Sequence, residues 1–210
     1  VKVRSFVLVG LVLATAACGE KRIEDGGVYI TRSVCPQVAV PAATNDVTLF
    51  DPQGRADAAA IDVVATITNV RATCDDASSQ ILSNATFDVV ATRRDAGPAR
   101  TVALQYFDVA MQGGTQVVAK RIGTVNLTFP AGSQRARAQG QAAIRVSRAA
   151  VTLPEDIRQK LTRPRKAGEV DAAVDPMTDP ATRAAVARAT FEHLIGFQLT
   201  QEQLRYNATR

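Results

Sequence analysis

An antiparallel β-sandwich closed by a C-terminal helical tail is the fold class this sequence predicts. Three observations predict it. Between Val28 and Val146, apolar and β-branched residues recur in short alternating runs. Turn signals separate the runs at intervals of roughly ten residues. No helical pattern long enough for a parallel crossover interrupts the series, which argues against βαβ units. A β-barrel of similar strand count is the rival architecture.

The elements follow in chain order. Val28 to Val34 and Val47 to Phe50 read as short strands, and Pro36, Pro41 and Pro52 place them at sheet edges. Ala59 to Thr73 is rich in Ile, Val and Thr. Its residues Ile61, Val63, Ala65 and Ile67 form an apolar face opposite the mostly polar Asp62, Val64, Thr66 and Thr68, as in a half-buried strand. Ala85 to Thr92 sends Phe87, Val89 and Ala91 to one side. Thr101 to Met111 alternates less cleanly, which suits a strand covered on both faces. Gln112-Gly113-Gly114-Thr115 is a hairpin signal, Gln116 to Phe129 follows as one long strand or two, and Pro130 to Ser133 is another turn. Ala142 to Ser147 completes the strands. An immunoglobulin-like arrangement would satisfy this count, although the chain has no Trp and so lacks one hallmark of that family.

Beyond Ala150 the texture changes. Pro154-Glu155-Asp156 starts a short helix running to about Leu161, followed by the basic stretch Arg163-Pro164-Arg165-Lys166. Asp179-Pro180 opens a longer helix, with Asp as cap and Pro in the first turn, expected to reach Ile195 and stop at Gly196. Thr200 to Gln203 is a capping box for a last helix from Gln201 to about Tyr206, with Leu199 and Leu204 as its staple. Phe191, Leu194, Ile195, Phe197, Leu199 and Leu204 are expected to bury together against the sandwich; docking of this tail onto a partner is the alternative.

The first residues carry an address. Lys2 and Arg4 precede an apolar run from Phe6 to Leu13 and small residues from Ala14 to Ala17, the layout of a secretory signal. The uncharged stretch from Ser5 to Gly19 is shorter than the roughly 20 residues a spanning helix needs. Thr15-Ala16-Ala17-Cys18 resembles the lipobox of bacterial lipoproteins, with Thr15 standing where that family usually has Leu or another aliphatic residue. The resemblance implies cleavage before Cys18 and acylation of its thiol; ordinary signal cleavage after Ala17 is the competing outcome. Two or three acyl chains would hold the protein on a membrane, since each buried methylene contributes about 0.8 kcal/mol. By analogy with Gram-negative systems, Gly19 favours the outer membrane, facing the periplasm. The expected organisation is thus a signal peptide over 1–17, a tether over 18–27, the sandwich over 28–150, a Pro- and charge-rich linker with a short helix over 151–178, and a helical segment over 179–210.

Cysteine arithmetic agrees with export. With Cys18 lipidated, Cys35 and Cys74 remain, and an even pair in an oxidising compartment reads as one disulfide. Two buried free thiols are the alternative.

Signals for chemistry are sparse. The formal charge is +5 and would fall to +3 without Lys2 and Arg4; charges are scattered and aromatics few, which disfavours a nucleic-acid partner. His193 is the only histidine and reads as a surface or capping residue near the end of the Asp179 helix. No serine has a G-x-S-x-G context, no glycine pair has a phosphate-loop lysine, and the cysteines with one distant histidine make no zinc set. No cofactor and no metal are expected. Arg163, Arg165 and Lys166 are candidates for contact with an anionic surface. The expected function is a non-enzymatic structural or protein-interaction module of the cell envelope, working with another envelope protein, with sandwich edges and the helical tail as contact surfaces. The alternative is a carrier or sensor holding an apolar small molecule or lipid between the sheets.

Overall fold

A computed structural model describes residues 33–55, 57–164, 168 and 173–209. Cys18, the signal-like segment, most of the expected strand over 28–34, Arg165 and Lys166 lie outside the described residues. The chain forms β1 (Gln37–Ala39), β2 (Asp46–Phe50), β3 (Ile61–Asp75), β4 (Gln80–Arg93), β5 (Arg100–Gln112), β6 (Gln116–Phe129), β7 (Arg135–Ser147), α1 (Arg148–Val151), α2 (Glu155–Thr162), α3 (Pro180–Arg188), β8 (Phe191–Phe197) and α4 (Gln201–Thr209).

Two four-stranded sheets pack face to face, one in the order β1-β8-β5-β6 and the other β2-β3-β4-β7. The β-sandwich expected from the alternating runs is therefore the observed fold. All pairs are antiparallel except β1 with β8, which run parallel over three residues. The alternation that marks each strand in the sequence is the alternation that fills the core. Val63, Ala65 and Ile67 of β3, Phe87 and Val89 of β4, Leu104 and Tyr106 of β5, and Leu127 and Phe129 of β6 all belong to one large apolar cluster. β5 alternates over its first half and is covered on both faces only where Val109 and Ala110 are both buried.

Two aromatic rings in this core lie over glycines of neighbouring strands. A Cβ on Gly140 would stand 2.2 Å from Phe87 Cζ, and one on Gly123 would stand 2.3 Å from Tyr106 Cζ. These rings occupy space that any side chain would need. The β5–β6 hairpin turns through Gly113 and Gly114, both at positive φ, where L-residues are disfavoured.

The C-terminal segment departs from expectation. The helix opened by Asp179 ends at Arg188 instead of reaching Ile195. Phe191–Phe197 is a strand inserted between β1 and β5. Phe191, His193, Ile195 and Phe197 alternate with period two, and this alternation prevails because the open edge of β5 supplies ladder partners from Tyr106 to Gln112. Gly196 is no helix stop: its α-carbon is so close to Thr44 and Phe107 that a Cβ would lie 2.3 Å from Thr44 Oγ1.

The other helical expectations hold. α2 begins at Glu155, and Asp179 caps α3 by accepting from Ala181 N at 3.1 Å. Both capping-box bonds of α4 are made, Thr200 N to Gln203 Oε1 at 2.9 Å and Gln203 N to Thr200 Oγ1 at 3.2 Å. Ile195, Phe197 and Leu199 bury in the large cluster, but Phe191 packs in a separate one, Leu194 is half-buried and Leu204 is 38% exposed, so the six expected residues do not bury together and Leu204 makes no buried staple. The tail packs on the sandwich beside β2: Asn207 Nδ2 donates to the carbonyls of Ala43 and Asp46, and Tyr206 meets Phe50 edge to face.

Candidate functional site

The inner faces of the sheets are mainly apolar, with Arg93 buried over Phe129 at one end of β4 and three polar side chains converging towards the other. Ser83 occupies an inward position of β4 between Ile81 and Ala85. Asp108 does the same on β5 between Tyr106 and Ala110. His193 points inward from β8 between Phe191 and Ile195. His193 pairs with Ala110 in the ladder, which places Asp108 one diagonal step away on the same face.

Their exposures are 1%, 6% and 0% for Ser83, Asp108 and His193. The expectation of a surface or capping histidine is therefore overturned, because the residue sits on a central strand and not near a helix end. Ser83 Oγ is 3.0 Å from His193 Nδ1, and His193 Nε2 is 3.0 Å from Asp108 Oδ1. Asp108 Oδ2 accepts from Ala143 N of β7 at 3.1 Å and stands 3.5 Å from Arg121 of β6. The chain of bonds thus ties β4 and β7 of one sheet to β5 and β8 of the other. Buried polar groups are costly unless satisfied, and here each has a partner.

The carboxylate defines the ring's hydrogen. When Asp108 is ionised it only accepts, and in that state Nε2 carries the hydrogen and donates it. In the neutral ring Nδ1 then accepts from the Ser83 hydroxyl. In the protonated ring Nδ1 donates to Ser83 Oγ instead, by rotation of the hydroxyl. Both charge states keep both bonds. The nearby Tyr106 phenol donates to the Gln141 carbonyl at 2.6 Å, and burial, with the Asp108 charge as a second cause, pushes its pKa up.

The serine end of this chain borders a cleft of about 610 Å³. Cys74 lies directly opposite Ser83 in the β3–β4 ladder and therefore faces the same way. Cys74 is bonded to Cys35, which precedes β1, so the disulfide links one sheet to the edge of the other beside the cleft. Val34, Val38, Phe191 and Thr73 are among its wall residues. A second cavity, lined by Ser147, Pro154 and neighbours, lies at the start of α1 and α2. Neither is lined by a buried residue of the large apolar cluster.

Of the residues singled out from the sequence, the structure brings Cys35 and Cys74 together and places Arg163 on the exposed end of α2. Lys160 of the same helix pairs with Asp179 at 2.9 Å, joining α2 to the cap of α3. This contact, with Thr182 second, lowers the Asp179 pKa from 3.8 to about 2. Among the described residues no group of three or more His, Cys, Asp or Glu could hold a metal, and no helix is long and apolar enough to cross a membrane.

Sequence reasoning missed the Ser83–His193–Asp108 chain. One available signal was a polar residue at the inward phase of an otherwise apolar alternation, seen at Ser83 and again at Asp108. The other was the period-two reading of residues 191–197. Compared with known proteins, the chain has no significant match to any family model, curated protein or solved structure.

Proposed function

We propose that this chain is a lipid-anchored protein of the cell envelope, held on the outer membrane facing the periplasm by acylated Cys18, and that it engages another envelope protein by strand addition along β6. One observation carries the contact surface. β6 forms the edge of its sheet and pairs with β5 alone among the described residues. Its first seven residues are exposed on both faces, including Val117, Val118 and Ile122 at 53%, 44% and 48%. Side chains of that size in an open edge strand are a template for a partner strand. Lys120 and Arg121 in the same stretch discourage unspecific edge pairing. The Cys35–Cys74 bridge supports residence in an oxidising compartment, as export requires.

Photo-crosslinking amino acids placed at Val118 and Ile122 in intact cells test the contact, with Thr101 on the exposed face of β5 as the control. The expected result is one specific adduct from the β6 positions and none from the control. Absence of any β6 adduct overturns the contact. Recovery of the protein in the soluble periplasmic fraction with Cys18 unmodified overturns the anchor.

A further inference from the structure

We propose that Ser83 is a base-activated nucleophile towards small carboxylic esters, with His193 as its base and Asp108 holding the imidazole in place. This goes beyond the strand-addition reading and does not rest on it. The arrangement has the diagnostic parts of nucleophilic catalysis: a hydroxyl within hydrogen-bond reach of a base, and a third group orienting that base. The distances are 3.0 Å from Ser83 Oγ to His193 Nδ1 and 3.0 Å from His193 Nε2 to Asp108 Oδ1. Because Nε2 is committed to the carboxylate, the lone pair of the neutral ring lies on Nδ1, which faces the hydroxyl. Gaining a proton at Nδ1 breaks neither bond, so the ring is preorganised in both states the reaction requires.

Access is the second, independent observation. Ser83 lines the cleft of about 610 Å³ beside the disulfide, whose walls combine Val34, Val38 and Phe191 with Thr73 and Gln37. Such a mixture takes a short acyl chain next to a polar carbonyl. His193 and Asp108 are not among the lining residues and Ser83 is 1% exposed, so the cleft meets this chain of bonds at the serine alone.

Ser83 Oγ bonds to the ester carbonyl carbon as its proton passes to His193 Nδ1 and the carbonyl π pair moves onto oxygen. Collapse expels the alcohol oxygen, which takes the proton from Nδ1, leaving acyl-Ser83. Water then adds to the acyl carbon, again with Nδ1 accepting the proton, and Ser83 Oγ leaves and recovers it. Ester and water become acid and alcohol, with no change of oxidation state. Throughout, Asp108 accepts from Nε2–H and stabilises the transient imidazolium.

A fluorophosphonate probe on the folded, disulfide-bonded protein tests this, with peptide mapping by mass spectrometry. The expected result is one phosphonyl group per chain, located on Ser83, with loss of fluoride. Ser83→Ala removes the adduct. His193→Gln slows its formation by about 10²–10⁴-fold, the usual contribution of a positioned base. Substitution of Val118 in β6 leaves labelling unchanged, which separates this proposal from the contact surface. If His193→Gln does not fold, the mapping on the unsubstituted chain decides alone. A folded chain that stays unlabelled at Ser83 overturns the proposal and leaves the three residues as a polar clamp between the sheets.

Discussion

Removing the Cys35–Cys74 bridge isolates how much of the sandwich depends on its first strand. The bridge spans 39 residues of sequence. On the chain-entropy account, closing a loop of that size removes roughly 13 cal/mol/K from the unfolded ensemble, about 4 kcal/mol at 25 °C. The fold has little else to offset that loss locally, because β1 pairs with β8 over only three residues. Release of β1 would also uncover the edge of β8 next to His193. For a domain of this length, each kcal/mol moves the melting midpoint by about 2–4 °C, so Cys35→Ala with Cys74→Ala should lower it by about 8–16 °C. Differential scanning calorimetry of the oxidised protein against the double variant measures the difference. Hydrogen exchange should show the amides of β1 and β8 losing protection first. A midpoint change under about 3 °C, with β1 still protected, would refute the view that the crosslink and not the short ladder holds this strand.

Three further outcomes follow from single sites. Gly140→Ala places a Cβ 2.2 Å from Phe87 Cζ in the packed core, so urea unfolding should show a loss of about 1–3 kcal/mol; no loss would mean that the ring can move aside. Arg93 is 6% exposed and donates to the carbonyls of Ser133, Pro98, Gly97 and Pro130 while lying 5.2 Å from the centre of the Phe129 ring. Arg93→Met leaves those carbonyls without the guanidinium and should cost about 3 kcal/mol, with proteolytic nicking appearing first near residues 97–98 and 130–133. The acid side of the stability curve should be steep. Asp179 is lowered from 3.8 to about 2 by Lys160, Asp88 is lowered by Asn69 and then Arg137, and Asp62 is lowered by Arg100. Depressed folded-state values mean that the stabilisation is present above pH about 3.8 and is lost as pH falls towards 2. Asp179→Asn, which keeps a capping side chain, should flatten that limb in melts recorded from pH 6 to pH 2; an unchanged slope would remove Asp179 from the account.

The strands from β2 to β7 were legible because their burial is local in cause. A period of two in Val63, Ala65 and Ile67 suits one buried face and one wet face, and the turns at Gly113–Gly114 and Pro130 leave little choice of connection. The caps of α3 and α4 were legible for the same reason, since Asp179 and Thr200 act on amides within three residues. The segment 191–197 was misread because its pattern fits two periods. Leu194, Ile195 and Phe191 suit a helix face as well as a strand, and the choice belongs to β5, 79 or more residues away in sequence, whose unfilled edge accepts seven residue pairs.

The same distance hid the polar cluster. Ser83 and His193 are 110 residues apart, and His193 and Asp108 are 85 apart, so no local spacing could join them. Composition and alternation alone predicted a β-sandwich, the bounds of β2, β3, β5 and β6 to within two residues, and the pairing of Cys35 with Cys74, whereas β4 starts five and β7 seven residues before the expected positions. The sheet order, the insertion of β8 between β1 and β5, and the meeting of a serine, a histidine and an aspartate in the interior were decided only in three dimensions. Local rules act through covalent neighbours and nearby amides, whereas pairing between distant strands is selected by whichever edges and cavities the rest of the fold leaves to be filled.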